Sequence, residues 1–492
     1  MHLTEPIASA LIVAAFGLLL VLAVTFSRTS ARLGVPLAIG FLVIGVLAGS
    51  EGIGRIPFED YHRTFQIGMA ALVLILFDGG LNTPATAVRE AIGPASVLAT
   101  IGVAFTALLT AAAAHLLGLP WPLALLLGAI VSSTDAAAVF STLTASGTHL
   151  KRRVGHLLEV ESGLNDPMAV ILTTALTTNL LRPGSQTVLS IGLSVITELI
   201  IGGAAGYGIG RLASWRITRL RLPVPGLYPA YTLGVAGLAY GVPTLLHGSG
   251  LLSVYVAAVV LGNRSLPYAA GVRRVHDSLG WLSQILMFFL LGLLVFPSRV
   301  VSAAGVGLGV ALVLAFIARP LVVWLCLTPF RYPRDEKVYV GWVGLRGAVP
   351  IVLATIPVMS GAPGARALFD VVFFVVLVGS LLPGSTVPWV TRRLKLQASP
   401  SASPTTIVAV EGSKGNRELR SFFIEEEVAV AGAPVESLPL PDGAAVTMID
   451  RAGTLIPSSG SEVLMPGDHA YVLFSRDQLA EIELLFGPPD LS

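Results

Sequence analysis

The chain has 492 residues, of which 54% are hydrophobic and 12% are charged, and its mean hydropathy is +0.80. This balance excludes an ordinary soluble domain for most of the length and predicts a membrane protein with many spans. The net charge of +2 offers no bulk attraction for nucleic acid, and the single cysteine, Cys326, excludes an internal disulfide and a cysteine-based zinc site.

Apolar runs divide the sequence before residue 396 into candidate membrane spans, since about 20 apolar helical residues cross the hydrocarbon core. The first run follows MHLTEP, which lacks the basic start of a secretory signal peptide, so it is expected to remain as a transmembrane helix. We predict about thirteen spans, with approximate limits 7–26, 34–50, 65–81, 92–117, 121–144, 159–180, 187–210, 227–245, 249–262, 277–296, 300–327, 337–360 and 367–390.

The basic residues of the loops predict the orientation. Loops after the odd-numbered spans carry most of the loop lysines and arginines, including Lys151, Arg152 and Arg153 after the fifth span. Basic loops are retained in the cytoplasm. We therefore expect a multi-pass protein of the inner (plasma) membrane with its N-terminus outside and its C-terminus in the cytoplasm.

Acidic and hydroxyl residues occur inside the fifth and sixth spans, which read GAIVSSTDAAAVFSTL and EVESGLNDPMAVILTT. A carboxylate at membrane depth is costly unless something pairs with it, so three of them in adjacent spans indicate an ion pathway. The alternative is a pair of soluble core helices with satisfied caps, but the apolar context continues for nearly the whole chain. The polar positions are Ser132, Ser133, Thr134, Asp135, Glu161, Ser162, Asn165 and Asp166.

Two spans carry the signature of an interrupted helix. In the fifth, the side chains from Ser132 to Asp135 compete with the helical hydrogen bonds. In the twelfth, GWVGLRGAVP surrounds Arg346 with glycines and Pro350. The two spans are an odd number apart, so a repeat that relates them is inverted, as in secondary transporters with a site near the membrane midplane. Glycine-rich packing faces could produce a similar pattern.

The acidic residues suggest exchange chemistry. A carboxylate removed from water holds its proton more tightly, and can release it when a cation arrives. We predict that Asp166 is the central carboxylate and that Asp135, Thr134 and Ser162 supply further oxygens, so that a monovalent cation binds at Asp135 and Asp166. Asn165 is neutral and carries no proton. No other metal and no catalytic cofactor is expected.

Two other classes of membrane protein fit the sequence less well than a secondary active transporter does. An intramembrane enzyme would need an HExxH pair or a GxSxG elbow, and neither is present. A cation channel regulated by a C-terminal domain is the alternative function, but no TVGYG-like selectivity filter occurs.

The pieces SSTDAAAVF, ESGLNDPMAV and GLRGAVP resemble motifs of the NhaP/NHE branch of cation:proton antiporters, of the K+/H+ antiporter type. The resemblance covers residues 1 to about 396. It implies an all-α NhaA/NhaP-like fold with inverted repeats, a homodimer in the lipid bilayer, and a moving core domain in each protomer. It also implies electroneutral exchange of K+ or Na+ for H+ by alternating access, because the Asn165-Asp166 pair matches electroneutral members.

The same resemblance assigns roles to individual residues. Thr134, Asp135, Ser162 and Asp166 match ion-site positions. Arg346 matches an arginine that pairs with the glutamate found here as Glu161, and Asp78 in LFDGGL matches an acidic position beside the site. Asn165, Glu161, Arg346 and Asp78 are therefore expected to support the site.

The composition changes after the last span. Residues 397–406 form a Ser/Pro/Thr linker, and residues 407–492 a small cytoplasmic α/β domain with strands in FFIEEEVAV, AVTMID and HAYVLF and a helix in RDQLAEIELLF. VESLPLPDGAAV and SEVLMPGDHAYVLF resemble the TrkA-C (RCK-C) module, which implies regulation by an unidentified ligand, with cyclic di-AMP as a candidate. The usual N-terminal Rossmann half is absent, which argues against NAD or ATP.

Several roles stay open on sequence alone, including the choice between K+ and Na+. Glu198 could belong to the pathway or make an ordinary polar contact, and Arg319 could extend to the membrane surface. His149 and His156 flank the basic loop and could sense cytoplasmic pH.

Overall fold

The computed structural model describes residues 36–220, 222–264, 266–398, 408–409, 417–424, 428–451 and 454–486, together with helical positions between 10 and 25. The chain forms two compact units, Met1–Gln397 and Ala398–Ser492. From residue 399 onward, the expected linker 397–406 lies outside the described residues.

The first unit is helical. Two of its helices contain a π-helical turn, at Leu98–Gly102 and at Leu314–Ala318. The described helices are α1 (Leu37–Ala48), α2 (Tyr61–Asn82), α3 (Ala85–Leu116), α4 (Trp121–Ile130), α5 (Ala136–Ala145), α6 (Arg152–Leu181), α7 (Val188–Ile217), α8 (Leu227–Leu245), α9 (Gly250–Gly262), α10 (Ala269–Leu293), α11 (Pro297–Leu327), α12 (Arg334–Trp342), α13 (Val349–Met359) and α14 (Ala365–Arg393).

The helices follow the predicted spans closely. Each span from the second to the thirteenth corresponds to one helix or to one interrupted pair, and the first is helical at the positions that the structure describes. By length and composition, α2, α3, α7, α10, α11 and α14 are long and apolar enough to cross a membrane, whereas α1, α4, α9 and α13 are shorter apolar helices. The fold class predicted from the sequence is confirmed.

Small residues allow the helices to pack closely. A Cβ atom on Gly45 of α1 or on Gly292 of α10 would collide with the backbone of the other helix. Gly202 and Gly206 of α7 play the same part against α9. Membrane helices pack through such small residues because lipid supplies little hydrophobic driving force between them.

The two interruptions occur where they were predicted. The fifth span divides into α4 and α5 with residues 131–135 between them, and the twelfth divides into α12 and α13 with residues 343–348 between them. The breaks meet each other, because the Asp135 amide donates a hydrogen bond of 2.9 Å to the Leu345 carbonyl. This meeting point defines the centre of the unit.

The second unit contains an antiparallel sheet of five strands in the order β1, β2, β5, β3, β4, where β1 is Val408–Ala409, β2 Arg417–Phe423, β3 Ala445–Arg451, β4 Thr454–Pro457 and β5 His469–Ser475. Helix α15 (Leu479–Phe486) covers a core that includes Val472 and Phe474. The predicted strands in AVTMID and HAYVLF and the closing helix are confirmed. The strand predicted in FFIEEEVAV instead ends at Phe423.

A buried carboxylate organises one edge of this sheet. Asp468 is 1% exposed and accepts hydrogen bonds from the Arg451 guanidinium at 2.7 and 2.9 Å and from the Met465 amide at 2.8 Å. Burial alone would raise the pKa of Asp468, but these hydrogen bonds outweigh it and hold the pKa below its usual value. The pair therefore fixes the turn before β5.

Candidate ion site at the crossing of the interrupted helices

Asp135 lies at the break between α4 and α5 and begins the second of these helices. Its carboxylate caps α5 by accepting a hydrogen bond of 3.2 Å from the Ala138 amide. The N-terminus of a helix carries unpaired amide groups and a partial positive charge, so an acidic side chain is favoured there. The break thus directs Asp135 and the oxygens of residues 131–134 into the centre of the unit.

Helix α6 faces this break with its polar residues. The Ser133 hydroxyl donates to the Asp166 carboxylate at 2.5 Å, and the Ser162 hydroxyl donates to the Thr134 carbonyl at 3.1 Å. The Asn165 amide donates to the Thr134 hydroxyl at 2.6 Å. The structure therefore brings the predicted residues of the fifth and sixth spans into one polar cluster.

Most of the cluster is buried, while Asp135 and Ser162 are partly exposed. Thr134 and Asp166 are each 5% exposed, and Asn165 is fully buried. Asp135 is close enough to Asp166 for the two carboxylates to interact electrostatically. Carboxylate, hydroxyl and carbonyl oxygens are the hard ligands that suit alkali cations, so the cluster has the chemistry of a monovalent cation site.

The expected ion pair between Glu161 and Arg346 is wrong. The Glu161 carboxylate instead forms a salt bridge of 2.8 Å with Arg319, which follows the π turn of α11. Glu161 is 1% exposed and Arg319 is 2% exposed. A surface role for Arg319 is excluded by this burial. The π turn adds one residue to the helical turn, which changes the direction of the side chains that follow it.

Arg346, which lies in the break of the twelfth span, contacts backbone carbonyl groups instead. Its guanidinium donates to the Val131 carbonyl at 2.9 Å and also to the Gly344 carbonyl. Both carbonyls lie where a helix has stopped and the usual helical donor is missing. Arg346 therefore satisfies backbone carbonyl groups at both helix breaks, and it forms no salt bridge with Glu161.

Glycines make room for these charges. A Cβ atom on Gly347 would collide with the Asp135 carboxylate, and a Cβ on Gly344 would lie 2.8 Å from Nε of Arg319. The glycines of GLRGAVP therefore stand where a side chain would displace the Asp135 carboxylate or the Arg319 guanidinium. This is a close-approach role for glycine.

Asp78 is not joined to the cluster by any hydrogen bond or ion pair among the residues that the structure describes. Its carboxylate accepts a hydrogen bond of 3.1 Å from Asn82 one turn further along α2 and lies against Gly280 of α10. The expected position beside the site is therefore not accompanied by a direct contact.

Two residues at the site were not assigned to it from sequence. Ser133 belongs to the SSTD segment and could have been selected because it neighbours Thr134, yet nothing in its residue type separates it from Ser132. Arg319 gave one signal, a lone arginine inside an apolar span, which is rare unless the charge is paired.

The comparisons with known proteins agree with this geometry. The family model described as "Sodium/hydrogen exchanger, transmembrane" matches residues 17–393. The chain belongs to the sodium/hydrogen exchanger family. It is therefore a multi-pass membrane protein of an antiporter family, and a TrkA-C domain model matches residues 419–487. Both resemblances seen in the sequence are confirmed.

Relatives of this family cover nearly the whole chain. The K(+)/H(+) antiporter NhaP of Alkalimonas amylolytica is 40% identical over 469 residues, covering 95% of this chain and 81% of that protein. The K(+)/H(+) antiporter NhaP2 of Shewanella oneidensis is 40% identical, covering 95% and 82%. The solved sodium proton antiporter MjNhaP1 of Methanocaldococcus jannaschii aligns with a TM-score of 0.67 and 24% identity, covering 78% of this chain and 99% of that one. The last comparison supports the fold.

The reassigned ion pair predicts a specific loss of stability. We expect Arg319→Met to lower the free energy of unfolding by about 3–5 kcal/mol, because the buried Glu161 carboxylate then has no counter-charge. The Glu161→Gln/Arg319→Met double variant should recover part of this loss. Chemical denaturation in detergent micelles measures both.

Arg346→Met is the matched control. Combined with Glu161→Gln, it should show a smaller coupling energy than Arg319→Met does, because Arg346 donates its hydrogen bonds to carbonyl groups and forms no salt bridge with Glu161. A coupling energy between Glu161 and Arg346 larger than that between Glu161 and Arg319 would contradict the reassignment.

Proposed function

We propose that the chain is a secondary active, electroneutral antiporter that exchanges K+ for H+, with Na+ as the second candidate cation. Asp166 holds either the cation or the proton. The family match supports exchange of a monovalent cation for H+. The two relatives named as K(+)/H(+) antiporters favour K+, whereas the Na(+)/H(+) antiporter NhaS2 of Synechocystis is a more distant relative at 26% identity.

One observation carries the proposal: Asp166 is a buried carboxylate with no ion pair among the described residues. Its hydrogen-bond partner is the neutral Ser133 hydroxyl. Both arginines near the crossing are committed elsewhere, Arg319 to Glu161 and Arg346 to backbone carbonyls. A carboxylate in this position has its charge compensated only when a cation or a proton binds.

Competition at one carboxylate is sufficient for exchange. The cation displaces the proton from Asp166 on one side of the membrane, and the proton displaces the cation on the other. Asp135, Thr134 and Ser162 contribute further oxygens, and Ser133 either donates to the carboxylate or turns its own oxygen toward a cation. Because an empty, charged Asp166 is disfavoured in the closed site, the loaded forms are those that change access.

Electroneutrality follows from the neighbour of Asp166. Asn165 is fully buried, and its amide donates to Thr134. An amide cannot exchange a proton for a cation. Asp135 caps α5 by accepting the Ala138 amide hydrogen bond, and in this proposal it serves as a cation ligand and does not carry the exchanged proton. One carboxylate therefore alternates between one proton and one cation.

We further propose an inner-membrane homodimer with the N-terminus outside and the C-terminus in the cytoplasm. The basic Lys151, Arg152 and Arg153 at the start of α6 favour this orientation. Helix α7 exposes Leu193, Ile196 and other apolar side chains. Such a face suits contact with lipid or with a second protomer.

The TrkA-C domain has a regulatory role in this proposal. It binds a cytoplasmic ligand, with cyclic di-AMP as the first candidate, and contributes no residue to the ion site. A ligand at this domain changes transport only to the extent that it binds the alternative arrangements of the antiporter with different affinity.

Asp166→Asn should abolish cation-dependent proton movement in proteoliposomes, because an amide cannot exchange a proton for a cation. A pH-sensitive dye measures the proton flux after addition of K+, Na+ or Li+. Asp135→Asn should reduce the apparent cation affinity severely, and Ser162→Ala more mildly.

Asp335→Asn is the control for this prediction, because it makes the same chemical change at an exposed position on α12. It should transport like the wild-type protein. Exchange by Asp166→Asn at the wild-type rate across several pH values would refute the role of Asp166.

One cation for one proton predicts no net movement of charge. In solid-supported-membrane recordings, a K+ concentration jump should give no sustained current from vesicles whose dye signal shows proton exchange. Vesicles with Asp166→Asn serve as the inactive control. A current that scales with the proton flux would contradict electroneutral exchange, and a cation current without proton flux would indicate the channel alternative.

Truncation after Lys395 should leave cation-selective exchange intact but change its dependence on pH or its response to cyclic di-AMP. The dye assay compares the full-length and truncated proteins at matched density in the vesicles. Identical pH profiles, together with no response of the full-length protein to cytoplasmic nucleotides, would refute the regulatory role.

A further inference from the structure

A second polar cluster lies where α2 ends, away from the crossing of the interrupted helices. Thr83 ends α2 and is 1% exposed, and its hydroxyl contacts the Gly79 carbonyl at 2.8 Å and the Glu159 carboxylate of α6 at 3.2 Å. The Asn263 amide fixes this turn by donating to the Thr83 carbonyl at 2.9 Å. The Thr83 hydroxyl is thus held against Glu159 by the backbone around it.

Glu159 is a carboxylate without a fixed counter-charge. It is partly buried and forms no ion pair among the residues that the structure describes. His156, one turn earlier on α6, interacts electrostatically with Glu159, but its Nδ1 contacts Glu90 at 3.1 Å. Glu159 therefore resembles Asp166 in having a neutral hydroxyl as its partner, but it remains accessible to water.

Tyr255 of α9 supplies an unsatisfied hydroxyl to the same place. The residue is 5% exposed, and its hydroxyl lies next to Thr83 and Glu159; among the described residues it makes no hydrogen bond of ordinary length, and the Thr83 hydroxyl is near enough only for a weak interaction. The ring packs against α6 at Gly163, where a Cβ atom would lie 2.7 Å from it. Burying a hydroxyl without a hydrogen-bond partner costs free energy. A ligand that binds this oxygen would offset that cost.

Glu159 lies on α6 between the basic residues at the start of this helix and Asp166. Glu159, Ser162 and Asp166 have the spacing of one face of a helix, and seven residues correspond to about 10 Å along the axis. Glu159 lies on the side of Asp166 that is nearer to Lys151, Arg152 and Arg153. These basic residues repel cations from this end of α6. A carboxylate further along the helix offsets that repulsion and attracts cations.

We propose that Glu159, Thr83 and Tyr255 form a second, transient binding site for the transported monovalent cation, through which it reaches Asp166 from the side of the basic loop. The inference rests on the proposed cation:proton exchange. A carboxylate oxygen and two hydroxyl oxygens replace part of the hydration shell. The site keeps one side open to water, so the cation is held weakly and can move on.

Direct detection uses Tl+ as a heavy substitute for K+ in crystals of the full-length protein. We expect anomalous density between Glu159, Thr83 and Tyr255 in the wild type and in Asp166→Asn, and none there in Glu159→Gln. The glutamine retains an oxygen that accepts from Thr83 and removes only the charge. Tl+ bound at Asp166 but absent from Glu159 in wild-type crystals would overturn the inference and leave the proposed function standing.

Transport kinetics provide the second measurement. Glu159→Gln should raise the apparent KM for K+ about fivefold to tenfold while the maximal rate is retained, because local negative charge concentrates cations near the site. Tyr255→Phe should raise the KM about twofold, as expected for losing one uncharged oxygen ligand. The effect of Glu159→Gln should shrink when an impermeant salt raises the ionic strength.

Glu90→Gln is the matched control, because it removes a carboxylate from the same end of the unit and leaves Glu159 in place; its KM should equal that of the wild type. A wild-type KM for Glu159→Gln would overturn the inference, and so would a loss of maximal rate with unchanged KM. If Glu159→Gln fails to fold, Thr83→Val and Tyr255→Phe decide by the same two measurements. A wild-type protein that exchanges neither K+ nor Na+ for H+ refutes the proposed function separately.

Discussion

The rest of the site depends on how the negative charge of the buried Asp166 carboxylate is compensated. Two arginines are buried at the crossing of the interrupted helices, and neither forms an ion pair with Asp166. Arg319 is held by Glu161 and Arg346 by the carbonyls of Val131 and Gly344. The arginines therefore stabilise the surrounding structure while Asp166 stays available to a mobile cation or proton.

The broken helices create this arrangement and also require it. Ending a helix inside an apolar unit leaves backbone groups without partners, which is expensive away from water. Arg346 supplies donors to two such carbonyls, and the amide of Asp135 bonds to Leu345 across the crossing. The glycines of GLRGAVP let the two breaks approach so closely, because a side chain at Gly347 would displace the Asp135 carboxylate. The same few residues therefore supply oxygens to the candidate ion site and hydrogen bonds to the backbone groups at the helix breaks.

The sequence predicted the spans and both interruptions because these depend on local signals: apolar length, hydroxyl residues, glycine and proline. It also indicated the polar residues of the fifth and sixth spans, since charge inside an apolar run is conspicuous. It could not identify the partner of Glu161. Arg319 and Arg346 have the same chemistry, and only the three-dimensional path of α11 after its π turn brings Arg319 within 2.8 Å of the glutamate. The strand boundary near Phe423 was missed because the alternating pattern continues past the end of pairing.

Helix α6 shows how one helix gives three carboxylates three different properties. Glu161 faces Arg319 and is permanently compensated. Glu159 and Asp166 are separated by two turns and share a face roughly opposite to that of Glu161, since two residues advance a helix by about 200°. Both have neutral hydroxyl partners, Thr83 and Ser133, but they differ in access to water. In the proposed exchange, a graded series of this kind would let a cation lose its hydration in steps, first beside an accessible carboxylate and then at a buried one, and so would lower the largest single barrier along the path.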